Sequence, residues 1–241
     1  MNLAIDIGNT RVKAALFTNE ALVEVKWYHS IDELLQDKLV VKKAQQAIIG
    51  SVVEGAEQAL TALNTLLPTS LFSAHTEIPL RNMYLSASTL GSDRLAASIG
   101  GYALYPNANV LVIDCGTCIK YNFTNAANEY LGGAISPGVN MRFKALHEFT
   151  SKLPLVELNY DFKDLIGNNT QHSILSGVMN GCTAEIDGFI DLYREQYSDL
   201  ICVITGGDGE HLAKRLKNSI FTHQNLVLKG LNYILYYQSL L

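Results

Sequence analysis

The sequence lacks any block of like charge. Its 18 Lys and Arg and 23 Asp and Glu leave a formal net charge of −5, and they are dispersed along the chain. That argues against a basic surface for nucleic acid, and the pairs Lys42-Lys43 and Lys214-Arg215 read as solvated helix faces. No apolar run is long enough to span a bilayer. Nor does the start read as a signal peptide, because the first apolar strand begins at once after Asn2 and already carries Asp6. Metal-ligand spacing is missing too. The six histidines (His29, His75, His147, His172, His211, His223) are scattered, and Cys115-Gly116-Thr117-Cys118 has neither the helix start nor the second ligand pair that a redox or zinc motif needs. The four cysteines therefore read as reduced core residues of a cytoplasmic protein, and any metal would use oxygen ligands. There is no low-complexity linker. With 241 residues, 48% of them hydrophobic, the chain can build one large domain or two small ones.

The informative stretch is Leu3 to Phe17, an apolar strand that delivers Asp6 into a tight turn and resumes as a second apolar strand. Gly8 lets main-chain N–H groups approach an anion, Asn9 tolerates a positive φ, Thr10 adds a hydroxyl and Lys13 a mobile charge. The pattern predicts a phosphate-binding hairpin, in which Asp6 would meet Mg²⁺ through waters, since that ion dehydrates reluctantly. The same phrase returns at Val110 to Thr117, with Asp114 placed 108 residues after Asp6. One D-x-G turn means little by itself. Two at the ends of apolar strands point to two related halves and a bound nucleotide.

Along the chain, Ala21–Tyr28 alternates as a third strand. Ser30-x-x-Glu33 has the form of a capping box, which starts a helix through about Lys38. Ala47–Val53 reads as a buried strand and Glu54–Leu67 as a helix, giving the order β-β-β-α-β-α. Residues 68–90 read as loop and short strand, with Tyr84 either lining a pocket or partly buried for packing. A helix then opens at Gly91-Ser92-Asp93-Arg94. Asp93 there can complement the helix dipole, or it can accept a proton from a hydroxyl while Arg94 holds an anion by a forked hydrogen bond. Spacing alone leaves both open. Lys120–Thr124 and Gly132–Val139 continue the second half, Asn140–His147 reads as a helix, and the stretch around Leu153–Leu165 as irregular. Thr170 is expected to cap the longest helix, whose Gly177, Gly181 and Gly188 leave room for another helix, which could belong to a second subunit. Leu200–Gly209 is a buried strand with a glycine turn, and Asn225–Tyr237 a packing helix. The boundary of the halves is expected near Asn107, as 1–107 and 108–241.

The ordered set Asp6-x-Gly8-Asn9-Thr10, Gly91-x-Asp93-Arg94, Asp114-x-Gly116-Thr117, Gly132-Gly133-x-Ile135-x-Pro137-Gly138 and Thr205-Gly206-Gly207 closely resembles the type III pantothenate kinases over essentially the whole chain. The resemblance implies the α/β fold of the acetate and sugar kinase, Hsp70 and actin superfamily: two ribonuclease-H-like lobes, each a β-β-β-α-β-α core, around an ATP cleft, in a homodimer. It implies ATP-dependent phosphorylation of pantothenate to 4'-phosphopantothenate in coenzyme A biosynthesis. Asp6, Ile7, Gly8, Asn9, Thr10, Arg11, Val12 and Lys13 would bind ATP phosphates and magnesium, with Thr117 as a further phosphate contact. Asp93 would be the general base. Tyr84, Gly91, Ser92, Asp93 and Arg94 would hold pantothenate, with Thr170 of a neighbouring subunit closing the pocket. Asp114 would bind a monovalent cation, potassium or ammonium. The chain departs from the family at Cys118-Ile119-Lys120, where small and hydroxyl residues are usual, and Lys120 stands to alter the potassium requirement.

Two rivals remain: a kinase of another small hydroxy acid or sugar, and a non-catalytic nucleotide-binding regulator of the same fold. The pocket residues favour pantothenate, and the presence of both the base and the magnesium carboxylate favours an enzyme.

Overall fold

The N-terminal alternation folds into the expected meander, β1 (Asn2–Ile7), β2 (Val12–Thr18) and β3 (Ala21–Tyr28). These strands pair antiparallel in sequence order. β4 (Gln46–Ser51) adds in parallel to β1, and β5 (Thr69–Leu71) to β4, giving the order β3-β2-β1-β4-β5. The computed structural model describes residues 1–53, 55–73 and 75–241. The expected helix start at Glu54 lies outside them.

Period-two alternation sends Leu3, Ile5, Val12 and Leu16 to one face of this sheet, where they pack on Leu34, Val40, Val41, Ala59 and Leu63. These belong to α1 (Ile31–Gln36), α2 (Lys38–Lys43) and α3 (Ala56–Asn64). The capping box forms: Ser30 Oγ accepts the Glu33 N–H at 3.2 Å, and the Glu33 carboxylate accepts the His29 N–H at 2.6 Å. The helix stops short of Lys38 because Asp37 interrupts it, ending α1 and capping α2 by accepting the Val40 N–H at 3.3 Å.

The other face carries Ala4, Ala15, Phe17 and Ile48 against α4 (Ser92–Leu104) and α8 (Leu226–Gln238). These two helices meet at glycines. A side chain at Gly100 would strike the Leu226 carbonyl, and one at Gly230 the Ala96 carbonyl. β6 (Arg81–Asn82) pairs in parallel with Glu129 and Tyr130. All these elements belong to a first unit, Met1–Ala108 with Thr124–Gly132 and Asn225–Leu241. The expected division near Asn107 comes close to its first boundary, but the contacts assign the C-terminal helix to the first unit and not to the second, because its apolar face packs on β1 and α4.

The second unit comprises Asn109–Phe123 and Gly133–Gln224. Its strands are β7 (Val110–Cys115), β8 (Cys118–Thr124), the later part of β9 (Glu129–Pro137), β10 (Ile201–Thr205) and β11 (Phe221–Thr222). Their order, β9-β8-β7-β10-β11, repeats that of the first unit. The core is made by Leu111, Ile113, Ile119 and Tyr121 under Ile174, Val178, Met179, Cys182, Ile186 and Ile190 of α6 (Thr170–Gln196). Asn169, and not Thr170, caps that helix, its side chain accepting the His172 N–H at 2.9 Å. α5 (Val139–Glu148) and the short α7 (Gly209–Ala213) complete the unit. Residues 151–168 form no helix or strand, as expected. Side chains fasten them instead: Arg215 donates to the carbonyls of Tyr160 (2.9 Å) and Phe162 (2.6 Å), and Ser176 to that of Leu165 (2.5 Å).

Glu185 on α6 gathers three donors, Ser136 Oγ at 2.5 Å, Arg142 at 2.6 Å and the Tyr121 hydroxyl at 3.1 Å. Burial opposes its charge, but the bonds from Ser136, Arg142 and Tyr121 outweigh it and hold the carboxyl below its ordinary 4.5. A carboxyl lowered on folding stabilises above its unfolded value, and that stabilisation is lost as pH falls through the folded one. Glu185→Gln is expected to cost about 2 kcal/mol at neutral pH. It should also remove part of the stability loss that the wild type shows as pH drops below 4.5. Thermal unfolding across that range measures both effects.

Candidate active site

In the first unit, the turn after β1 is closed by Gly8 N–H donating to the Arg11 carbonyl at 3.2 Å. Neither Gly8 nor Asn9 uses a positive φ, and a side chain at Gly8 would meet only the Arg11 carbonyl, at an ordinary 3.4 Å. Asn9, Thr10 and Arg11 are exposed, whereas Ile7 and Val12 are buried and can offer a ligand only their backbone. Asp6 stands opposite Lys13 on β2 and Gly50 on β4. The turn also borders a groove of about 260 Å³ with His29, Ser30 and Gln58 on its other walls.

Helix α4 begins beside this strand end for a local reason. Ser92 Oγ donates to the Ser51 carbonyl at 2.7 Å, and Ser51 is the register partner of Ile7. Asp93 follows, its Oδ1 accepting the Arg94 N–H at 2.8 Å. A side chain on Gly91 would come within 2.8 Å of that same oxygen, so glycine is what leaves the carboxylate its position. Arg94 is buried, with its guanidinium 5.4 Å from the centroid of the Tyr84 ring. The Tyr84 N–H donates to Asn82 Oδ1 at 3.0 Å, and its ring leans on Tyr130. The structure thus brings Tyr84, Gly91, Ser92, Asp93 and Arg94 into one constellation in the unit that also holds Asp6 to Lys13.

In the second unit, Asp114 occupies the penultimate position of β7, as Asp6 does in β1, and faces Thr205 of β10. Lys120 Nζ lies 2.7 Å from its Oδ2, and both side chains are largely buried. Gly206 takes φ +90° against the Cys115 carbonyl, where any side chain would collide. The same carbonyl accepts the Asp208 N–H at 3.0 Å. Burial pushes the Asp208 carboxyl above its ordinary value, and Asp114 adds to the shift, while the Tyr160 hydroxyl, donating at 2.6 Å, opposes it. This Tyr160–Asp208 pair leaves no signal in the sequence, because the two residues lie in an irregular segment and a short helix cap. Thr117 is exposed, and its carbonyl accepts the Gly138 N–H at 3.1 Å. The thiol of Cys115 is pushed up by burial, and all four cysteines are free, as expected. Thr170 is exposed in the first turn of α6.

The family model for type III pantothenate kinase matches residues 2–192 of this chain. The chain belongs to the type III pantothenate kinases. A type III pantothenate kinase of Christiangramia forsetii is 44% identical over 241 residues, with 98% of each chain covered. One of Bacteroides fragilis is 43% identical over 242 residues, with 99% of each covered. Among solved structures, a protein of Campylobacter jejuni assigned to the Baf family of transcriptional activators aligns at TM-score 0.69 and 22% identity, covering 99% of this chain and 100% of its own. That likeness shows the fold, the two-lobed ATPase class shared with sugar kinases. The enzyme is accordingly a phosphotransferase that phosphorylates pantothenate with ATP in coenzyme A biosynthesis. Among the described residues no helix is long and apolar enough to cross a membrane.

Because Gly91 clears the space at Asp93, Gly91→Ala is expected to displace the carboxylate, and if Asp93 serves the reaction kcat falls at least about tenfold. Its cost in stability should stay within about 1 kcal/mol. Steady-state kinetics beside a melting curve separates the two.

Proposed function

We propose that Asp93 is the general base of this kinase and that the β1–β2 turn holds the phosphates of ATP. The observation that carries the reading is the Ser92 to Ser51 hydrogen bond. It ties the first turn of α4 to the strand end next to Asp6, in one unit and one residue away from the carboxylate that would act. On this reading the pantothenate hydroxyl oxygen attacks the γ-phosphorus and gives its proton to Asp93. The bond from that phosphorus to the β–γ bridging oxygen breaks, and ADP leaves with the electron pair. Arg94 and Tyr84 would hold the substrate, Arg94 pairing with its carboxylate. Backbone N–H groups of Asn9 and Thr10, with the side chains of Arg11 and Lys13, would take the phosphates. Asp6 suits magnesium held through water, a single carboxylate at a strand end. The ion, when bound, neutralises phosphate charge.

At Asp114 the resemblance expects potassium or ammonium, but the carboxylate already carries the Lys120 ammonium at 2.7 Å. Chemically that is a tethered ammonium ion, which supports Lys120 as the resident cation. The open space beside Gly177, Gly181 and Gly188 of α6 supports a homodimer in which Thr170 serves the neighbouring site. Free cysteines are in keeping with a cytoplasmic enzyme.

Two measurements test these assignments. Asp93→Asn should reduce kcat about a thousandfold while calorimetry shows ATP affinity within about twofold of wild type; unchanged turnover would remove Asp93 from the role of base. Wild type should turn over equally in sodium and in potassium buffers, and Lys120→Ala should lose activity in sodium and regain it with potassium or ammonium. A strong potassium requirement in the wild type would show that Lys120 does not fill the site.

A further inference from the structure

The single tryptophan of the chain, Trp27, lies in β3 directly opposite Lys13. Lys13 in turn lies opposite Asp6, so one row across three strands reads Trp27, Lys13, Asp6. Lysine and aspartate facing each other on neighbouring strands ordinarily pair. Here the Lys13 ammonium instead sits 4.5 Å from the centroid of the Trp27 ring, and the Arg11 guanidinium 4.8 Å from it. Among the described residues neither cation forms an ion pair with a carboxylate. A cation over an exposed indole and an exposed lysine–carboxylate pair are of comparable strength, so the ring competes with the carboxylate for Lys13.

We propose that Trp27 is a positioning residue for nucleotide binding: its ring holds Arg11 and Lys13 beside the phosphate turn. Two long side chains of like charge would otherwise diverge, or Lys13 would fold onto the carboxylate opposite. Either event costs the site a phosphate contact. The proposal rests on the reading of the β1–β2 turn as the phosphate-binding element, and it adds a third strand to that element. Trp27 is 47% exposed, so truncating it opens no core cavity and the fold does not depend on it.

The test uses the full-length enzyme. Trp27→Leu should raise KM for ATP about fivefold, from the loss of two cation–π contacts, with kcat and KM for pantothenate within about twofold of wild type. Trp27→Phe, which keeps an aromatic face, should recover part of the loss. In the Lys13→Ala background, Trp27→Leu should add little, because the two act as one unit. As the only indole, Trp27 also reports directly: its emission should shift when ATP or inorganic tripolyphosphate is added with magnesium, and the shift should shrink in Lys13→Ala. If wild type binds ATP by calorimetry yet KM in Trp27→Leu is unchanged or lower, the positioning role is overturned and the turn keeps its assignment. If KM rises but Trp27→Phe recovers nothing and Lys13→Ala makes no difference to the effect, the ring acts by bulk and the proposal is again overturned. Catalysis with ATP binding indifferent to Arg11 and Lys13 altogether would instead overturn the reading of the turn.

Discussion

A carboxylate and an ammonium on adjoining strands must either join or be held apart, and the two halves of this enzyme resolve that constraint differently. The five strands of each unit follow the same order, and each unit places an aspartate one residue before the end of its first strand with a lysine on the second. In the second unit the pair joins, Lys120 on Asp114, shielded from solvent. Breaking such a pair leaves an uncompensated charge, so it acts as a fixed internal counterion. In the first unit the lysine rests on an aromatic face. One aspartate is paired with the lysine of its own sheet, and the other stands beside an exposed turn.

The position of α4 follows from packing. Ala96, Ala97, Ser98, Gly100 and Gly101 are buried together, which a helix tolerates only if its neighbours come close on several sides. The glycine contacts with α8 supply that closeness. Once the helix is lodged there, its N-terminus has little freedom, and Ser92 needs a single hydrogen bond to align it with the strand ends. Precision at Asp93 therefore derives from small residues one to three turns away. Charge burial adds a second constraint, since Arg94 keeps a guanidinium in the same packing and has the Tyr84 face beside it.

Local signals in the sequence are strong where alternation meets turn chemistry. β3 falls on Ala21–Tyr28 as expected, and the capping box at Ser30 forms. Boundaries move where neighbouring residues compete for one role. Asn169 takes the cap expected of Thr170, and Asp37 both ends and begins a helix. β9 begins at Glu129, earlier than expected, because Gly132 and Gly133 adopt φ +100° and +148° and hide its alternation. Asp6, Asp93 and Arg94 stand out as candidates in their motifs, although spacing alone leaves the roles of Asp93 and Arg94 open and only the family resemblance assigns them. Trp27 does not, since its place opposite Lys13 is a cross-strand register that only the folded sheet reveals, and Tyr160 on Asp208 does not, since an irregular segment meets a helix cap there.

Turn length then explains why duplication did not give two equal sites. The first hairpin spends four residues, Gly8 to Arg11, between its strands, and three of them are exposed. The second spends two, Gly116 and Thr117, and its carbonyls are engaged: that of Thr117 by the Gly138 N–H, that of Cys115 by the Asp208 N–H. A longer turn presents more N–H groups and side chains to an anion, whereas a short one clamped by its neighbours presents few. Lys13 lies opposite Asp6, where the ring of Trp27 on the third strand reaches it. An exposed four-residue turn in the first unit and a clamped two-residue turn in the second are thus the same strand plan carrying loops of different length.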